Sequence, residues 1–355
     1  MRVLLIFFGA AVLATLLFAG IGCEREVIIE EDNDQFAAAS CFTCHGEDGY
    51  LIAAEGEWRN SVHASGNNVD YTNRGGADCT ECHDHQGFLD FLATGSVDAP
   101  YDQVSSIHCF TCHAPHTRGN LSLRTDAPYT LTNDDIFDHG GANLCANCHH
   151  SRFSVADITD DIYVHTYWGP HHGPQGDLLN GSNGYEFAGY SYGSTGHAFV
   201  FDNSGCVGCH MGNPQTHVGY RIGGHSFNMV DEESGATLVG VCQTEGCHGE
   251  SAESFDYEGI QTEVDSLLEE LKTLLDNAGL LDTTAHPVGQ TIADMNVAGA
   301  LFNFLIIEED RSHGVHNPEY IVDLLESSIQ YMETLPAKKG TGKIAELTVR
   351  PVRAH

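Results

Sequence analysis

Five segments of this chain repeat one spacing: Cys41-Phe-Thr-Cys44-His45, Cys79-Thr-Glu-Cys82-His83, Cys109-Phe-Thr-Cys112-His113, Cys145-Ala-Asn-Cys148-His149 and Cys206-Val-Gly-Cys209-His210. A sixth copy is stretched, Cys242-Gln-Thr-Glu-Gly-Cys247-His248, with four residues between its cysteines. Twelve of the 13 cysteines are used in this way, and each second Cys is followed by His. Zinc ribbons, redox dithiols and disulfides all use C-x-x-C, so one copy says little. Six copies say much more. A disulfide framework gives no reason for the six histidines, and zinc would find six Cys2His half-sites still short of ligands.

C-x-x-C-H is the attachment motif of c-type haem. Two thiols add to the two vinyl groups of the porphyrin, and the next residue lies under the iron as its proximal ligand. The reading is therefore six c-type haems, tethered by the twelve motif cysteines and ligated by His45, His83, His113, His149, His210 and His248. Sixteen of the 22 histidines remain, and six irons capped on both faces need only six more. A second His makes the iron low-spin and leaves no open position for a substrate. The strongest distal candidates lie in motif-like settings: His63 in Ser61-Val-His63-Ala64, His85 two residues past His83, and His116 three residues past His113. His171 and His172 form Gly169-Pro-His-His-Gly-Pro, from which one ligand is expected; His197 precedes the fifth motif. His225 follows Gly223-Gly224, where backbone can approach a porphyrin closely, and His316 stands far downstream in Ser312-His-Gly-Val-His316-Asn-Pro. His108, His139, His150, His165, His217 and His286 are weaker candidates, and His313 and the terminal His355 are read as non-ligands.

Export is required, because c-type haem is attached outside the cytoplasm. Residues 1–22 have the form of a signal peptide: Arg2, an apolar run from Val3 to Phe18, then small residues. Cys23, followed at once by acidic residues, resembles a bacterial lipoprotein signal whose first mature residue bears lipid, with Gly20 where that family carries Leu. Cys23 is also the one cysteine the motifs leave over. The expected organisation is a signal peptide (1–22), an acidic tether (23–40), a hexahaem domain (41–250), a helical cap (251–335) and a basic tail (336–355). The expected fold is mostly irregular, with short helices organised around stacked covalent haems, since the Gly-, Asn- and Asp-rich stretches between motifs have weak periodicity. Only the C-terminal segment is α-helical by pattern: apolar residues recur at helical spacing over 257–280, and 297–309 and 318–335 read as two more helices joined by a short loop carrying His316. The net charge of −35 excludes nucleic acid as a partner and disfavours anionic substrates.

The six motifs, with Ser61-Val-His63-Ala64, Cys79 to Phe88, Cys109 to His116, Gly169 to Leu178 and Gly223-Gly-His225-Ser-Phe227, resemble the multihaem c-type cytochromes of metal-respiring bacteria. Within them the chain resembles the extracellular group that polymerises into nanowires, and Ser312 to Pro318 looks like the helical end of the pentahaem nitrite reductases. The resemblance implies closely stacked bis-His haems, electron transport to other redox proteins in periplasmic or extracellular respiration, self-association into filaments, and a place on the outer membrane through the lipid anchor, at the cell surface or outside it. The nitrite reductases mark their active haem with Lys in place of the motif His; here all six motifs end in His. An electron carrier is thus expected rather than an enzyme. The alternatives are an oxyanion reductase with one open haem and a conductive filament subunit.

Overall fold

A computed structural model describes residues 45–46, 48–64, 77–97, 101, 104–115, 121–194, 197, 205–213, 219–244 and 246–336. The signal segment, the tether, Cys23, Cys41, Cys44, His116, His217, His355 and the basic tail beyond Pro336 lie outside these residues.

Among the described residues, helices are short in the motif region and long after it. Helix α1 (Gly49–Trp58) starts at Asp48, whose carboxylate accepts from the backbone N–H of Tyr50 and Leu51. Helices α2 (Ala77–His83) and α3 (His85–Thr94) flank Asp84, a fully buried residue. Its carboxylate caps α3 through Gly87 N–H at 2.8 Å and holds Ser105 N–H at 2.7 Å. Position 87 must be glycine, because a Cβ there would lie 2.3 Å from the Thr80 carbonyl oxygen. The next motifs supply α4 (Cys109–Cys112) and α5 (Asn143–Ala146), followed by α6 (Gln175–Leu179) and α7 (Gly205–His210).

Three longer helices follow: α8 (Ile260–Asn277), α9 (Met295–Asp310) and α10 (Pro318–Glu333). They match the three helices expected from periodicity, with ends moved by at most three residues. Helix α8 buries Val264, Leu267, Leu271 and Leu275 on one stripe. Helix α9 is buried almost all round, and α10 starts with Pro318, whose fixed φ suits a first helical turn. No described helix is long and apolar enough to cross a membrane.

Among the described residues the sheet content is slight: three two-stranded antiparallel ribbons, β1 (Tyr129–Thr130) with β2 (Ile136–Phe137), β3 (Ile162–Val164) with β6 (Gln290–Ile292), and β4 (Val230–Asp231) with β5 (Ala236–Thr237). The β3–β6 ribbon is non-local. It stitches the segment between the fourth and fifth motifs to the C-terminal helices, and that segment contributes Trp168, Leu178, Tyr185 and Phe187 to the same apolar core.

A conventional core gathers around α8, α9 and α10, and among the described residues of the motif region a small cluster is built on Leu131, Phe137, Ala142, Ala146 and Leu179. Asn303 on α9 joins the two parts of the large core. Its Oδ1 accepts from Tyr185 N–H at 2.7 Å, and its Nδ2 donates to the Tyr185 carbonyl at 2.9 Å and to Ser328 Oγ at 3.0 Å. Asn303→Leu leaves both Tyr185 backbone groups buried without partners and is expected to cost about 2–4 kcal/mol. Denaturant unfolding followed by far-UV circular dichroism checks this; an unchanged midpoint would show that Asn303 is dispensable.

Candidate haem sites

Among the described residues the ten motif cysteines are unbridged. The motifs nevertheless crowd together. The thiols of Cys82 and Cys148 are in hydrogen-bond contact, as are those of Cys145 and Cys206, so the second, fourth and fifth motifs lie side by side. Gly205 makes the last contact feasible. It adopts φ +40°, and a Cβ there would lie 2.6 Å from the Ala142 Cβ.

The histidines give a sharper pattern. His83 faces His171 with ring centres 6.3 Å apart, His113 faces His225 at 6.3 Å, and His149 faces His63 at 6.1 Å. His210 faces His316 at 6.3 Å, and His248 faces His197 at 6.0 Å. Each pair joins a motif His to a His from a distant segment. Two imidazoles on opposite faces of one metal, each bound at about 2.0 Å and with about 1.1 Å from ring centre to nitrogen, stand about 6.2 Å apart. The donor set therefore fits a metal held from above and below. No described cluster of three or more His, Cys, Asp or Glu could hold an ion by itself; paired nitrogens of this kind would suit a metal whose remaining ligands come from a porphyrin.

Hydrogen bonds to Nδ1 fix most of these rings and leave Nε2 as the nitrogen available to a metal. Nδ1–H of His113 donates to the Leu121 carbonyl at 2.6 Å, that of His197 to the Val315 carbonyl at 2.7 Å, and that of His210 to the Phe227 carbonyl at 3.0 Å. His149 bonds to Gln175 Oε1 at 3.1 Å, His225 to Glu57 Oε2 at 3.4 Å, and His316 to Asp310 Oδ1 at 2.6 Å. Metal-bound histidines use their second nitrogen in this way. Burial lowers the pKa of His83, His113, His149, His197 and His210, which favours the neutral, ligating imidazole. His63 falls to about 4, through burial and then the neighbouring His149, and His171 to about 4, through burial and then His172 and Arg152. His316 is the exception. Burial pulls it down, but the charge and hydrogen bond of Asp310 outweigh that and leave it raised.

The structure separates the sequence candidates. His63, His171, His197, His225 and His316 stand opposite motif histidines. His116 lies outside the described residues, and His45, whose own cysteines lie there too, has no described partner of this kind. His85 does not face a motif His among the described residues: it stacks on His108 at 4.1 Å, and its Nδ1 is hydrogen-bonded to Thr111 Oγ1. His108 caps α4 and is pushed down to about 3 by burial, then by His85 and Arg124. His172 stacks on His171 at 4.6 Å and pairs with Glu309 at 2.7 Å. The remaining described histidines hold local structure: Nε2 of His150 accepts from the Tyr129 hydroxyl, His165 Nδ1 accepts from Tyr167 N–H, His286 bonds Thr284 and His313 pairs with Asp265. His139 is buried with Nδ1 unpartnered among the described residues. Sequence reasoning missed the residues that orient the rings, namely Glu57, Gln175, Phe227 and Asp310. Nothing in their spacing marks them, because each meets its His through the tertiary fold or from a neighbouring loop.

No family model matches the chain. It is 22% identical to the C-type polyheme cytochrome OmcB of Geobacter sulfurreducens across 83% of this chain and 55% of that protein. It is 24% identical to the C-type polyheme cytochrome OmcC of the same organism, across 72% of this chain and 42% of that one. The chain thus spans about half the length of the relatives it matches. Among solved structures it resembles the outer cell wall cytochrome OcwA, with a TM-score of 0.51 and 20% identity over 78% of this chain and 49% of that one. An undecaheme cytochrome from the S-layer of Carboxydothermus ferrireducens gives a TM-score of 0.51 at 18% identity, over 85% of this chain and 46% of that chain. Together these likenesses support a multihaem c-type cytochrome.

Proposed function

We propose that this chain is a multihaem c-type cytochrome that carries electrons along six covalently attached haems, each capped on both faces by His. The observation that carries the reading is the set of five His–His pairs at 6.0–6.3 Å, one for each motif from the second to the sixth. The proposed pairs, motif His first, are His83 with His171, His113 with His225, His149 with His63, His210 with His316 and His248 with His197. His116 is proposed for the first motif.

Haem supplies a one-electron couple at each site. The chain does the rest. Paired imidazoles close both axial positions, which favours a carrier over an oxyanion reductase with an open face. Nδ1 partners hold six of the ten rings in place and tune their donor strength: a carboxylate partner such as Asp310 strengthens donation, a carbonyl partner less so. Contacts between motifs keep neighbouring sites close enough for electrons to pass. The matched relatives are cytochromes by name, which also supports a carrier, and the outer-wall and S-layer wording of the structural neighbours supports an exported one. Lipid on Cys23 would place it at the outer membrane; filament assembly stays a proposal from the resemblance alone.

Electron paramagnetic resonance of the oxidised protein, with and without nitrite, tests this. Low-spin ferric signals that nitrite leaves unchanged are expected. A high-spin signal that shifts with nitrite would mean an open haem and would sink the carrier reading in favour of the reductase.

A further inference from the structure

His63 differs from the other distal rings that face the third, fifth and sixth motifs. His197, His225 and His316 are each steered by an Nδ1 hydrogen bond. Among the described residues no hydrogen bond holds the His63 ring. The aromatic rings described beside it are His149 and Phe227, the latter edge-on with centres 5.0 Å apart and planes at 79°. His63 belongs to a three-residue 3-10 turn (Val62–Ala64), which by itself leaves the ring's rotation open.

Phe227 is itself held in an uncommon way. It has φ +59° and ψ 0°, closing the 3-10 turn Gly224–Ser226. A bulky residue rarely adopts this left-handed conformation without support from its surroundings. Here the conformation turns the side chain to His63, with the His225 ring also near at 6.2 Å, and turns the carbonyl to His210 Nδ1 at 3.0 Å. One residue thus borders the third, fourth and fifth sites.

We propose that Phe227 is a positioning residue whose ring sets the rotation of His63 and, through it, the 76° angle between the His63 and His149 planes. The proposal rests on the bis-His reading of the fourth site. The angle has a direct physical consequence. Each axial imidazole donates π density perpendicular to its own plane, so crossed planes bring two iron d orbitals close in energy. The low-spin ferric signal then becomes strongly anisotropic. When the planes turn toward parallel, the orbitals separate and the signal becomes rhombic.

The test compares resonance spectra of the oxidised holoprotein as wild type, His63→Ala, Phe227→Gly and Phe227→Tyr. His63→Ala identifies the fourth site as the low-spin signal that is lost. Glycine adopts φ +59° without strain and keeps the carbonyl that holds His210, so Phe227→Gly removes the ring while preserving the turn. In Phe227→Gly the strongly anisotropic signal of the fourth site is expected to lose more than half its intensity to a more rhombic one. The fifth-site signal stays in place, and Phe227→Tyr matches wild type. A Phe227→Gly spectrum superimposable on wild type overturns the proposal, and so does a loss spread over all signals, which would show a merely structural role. If His63→Ala leaves every low-spin signal intact, the bis-His assignment of the fourth site itself falls, and Phe227 falls with it.

Discussion

A chain made without haem attachment is expected to come apart in one region and hold in another. Residues 45–150 and 205–250 should lose amide-exchange protection by on the order of 1000-fold, equivalent to about 4 kcal/mol of local stability. Helices α8 to α10 and the 153–192 segment packed on them should keep most of theirs. The reason lies in where apolar surface is buried. The large cluster contains Leu267, Leu271, Leu301, Phe302, Phe304, Tyr320 and Leu324, and it needs no motif residue. Around the first three motifs the buried apolar residues among those described are few and scattered: Trp58, Phe88, Val104, Ile107 and Ala114. Short helices of four to seven residues at the motifs cannot stand alone. Hydrogen exchange read by mass spectrometry, on cytosolic apoprotein against exported holoprotein, checks this. Equal protection in both would mean that side chains, and not the haems, build the motif region.

The second large effect concerns His316. His316→Ala is expected to convert one low-spin site to high-spin and to lower stability by about 3–5 kcal/mol. The second figure arises from Asp310, which is 3% exposed and whose carboxylate accepts from the His316 ring and from the hydroxyl and backbone N–H of Ser312. Without the imidazole, a buried carboxylate loses its main partner. Asp310→Asn separates the two effects. It should keep the iron low-spin while raising the potential of the fifth site by about 60 mV, the one-electron equivalent of about 1.4 kcal/mol. Loss of the carboxylate weakens the imidazole as a donor and so favours ferrous over ferric iron. Spectroelectrochemical titration of the variant reads this directly, and an unmoved set of potentials would remove Asp310 from the tuning of the site.

Parts of this molecule are plain in its sequence. The Cys-Cys-His repeats are, because one spacing recurs along the chain. Helix α8 is, because a stripe of Val264, Leu267, Leu271 and Leu275 has only one periodic reading. Distal ligands are a different matter. His85 sits beside a motif, yet it stacks on His108, while His316 stands beyond the last motif and faces His210. An axial ligand needs only the right place in space, and any segment can bring it there. His171 and His172 differ by one residue, and the fold decides between them: Glu309 draws His172 aside, and His171, at φ +67°, faces His83. The β3–β6 ribbon was equally hidden, since three-residue strands far apart in sequence carry no local signal.

Because the rings that face the motif histidines come from distant segments, a bis-His molecule could not be finished in the order in which it emerges. An exported chain crosses its membrane from the N-terminus. The third motif would arrive with its thiols and proximal ring well before His225, and the fifth well before the Ser312–Asn317 loop that presents His316 and steers His197 through Val315. Newly attached haems would therefore spend part of the protein's early life with one face bare. The loop between α9 and α10, which arrives late, would close the fifth site and steer the ring that faces the sixth. A truncated or stalled chain should then be more than a shorter wire. It should be a chemically reactive one, open to oxygen and small anions, and quality control in the envelope would have reason to remove it.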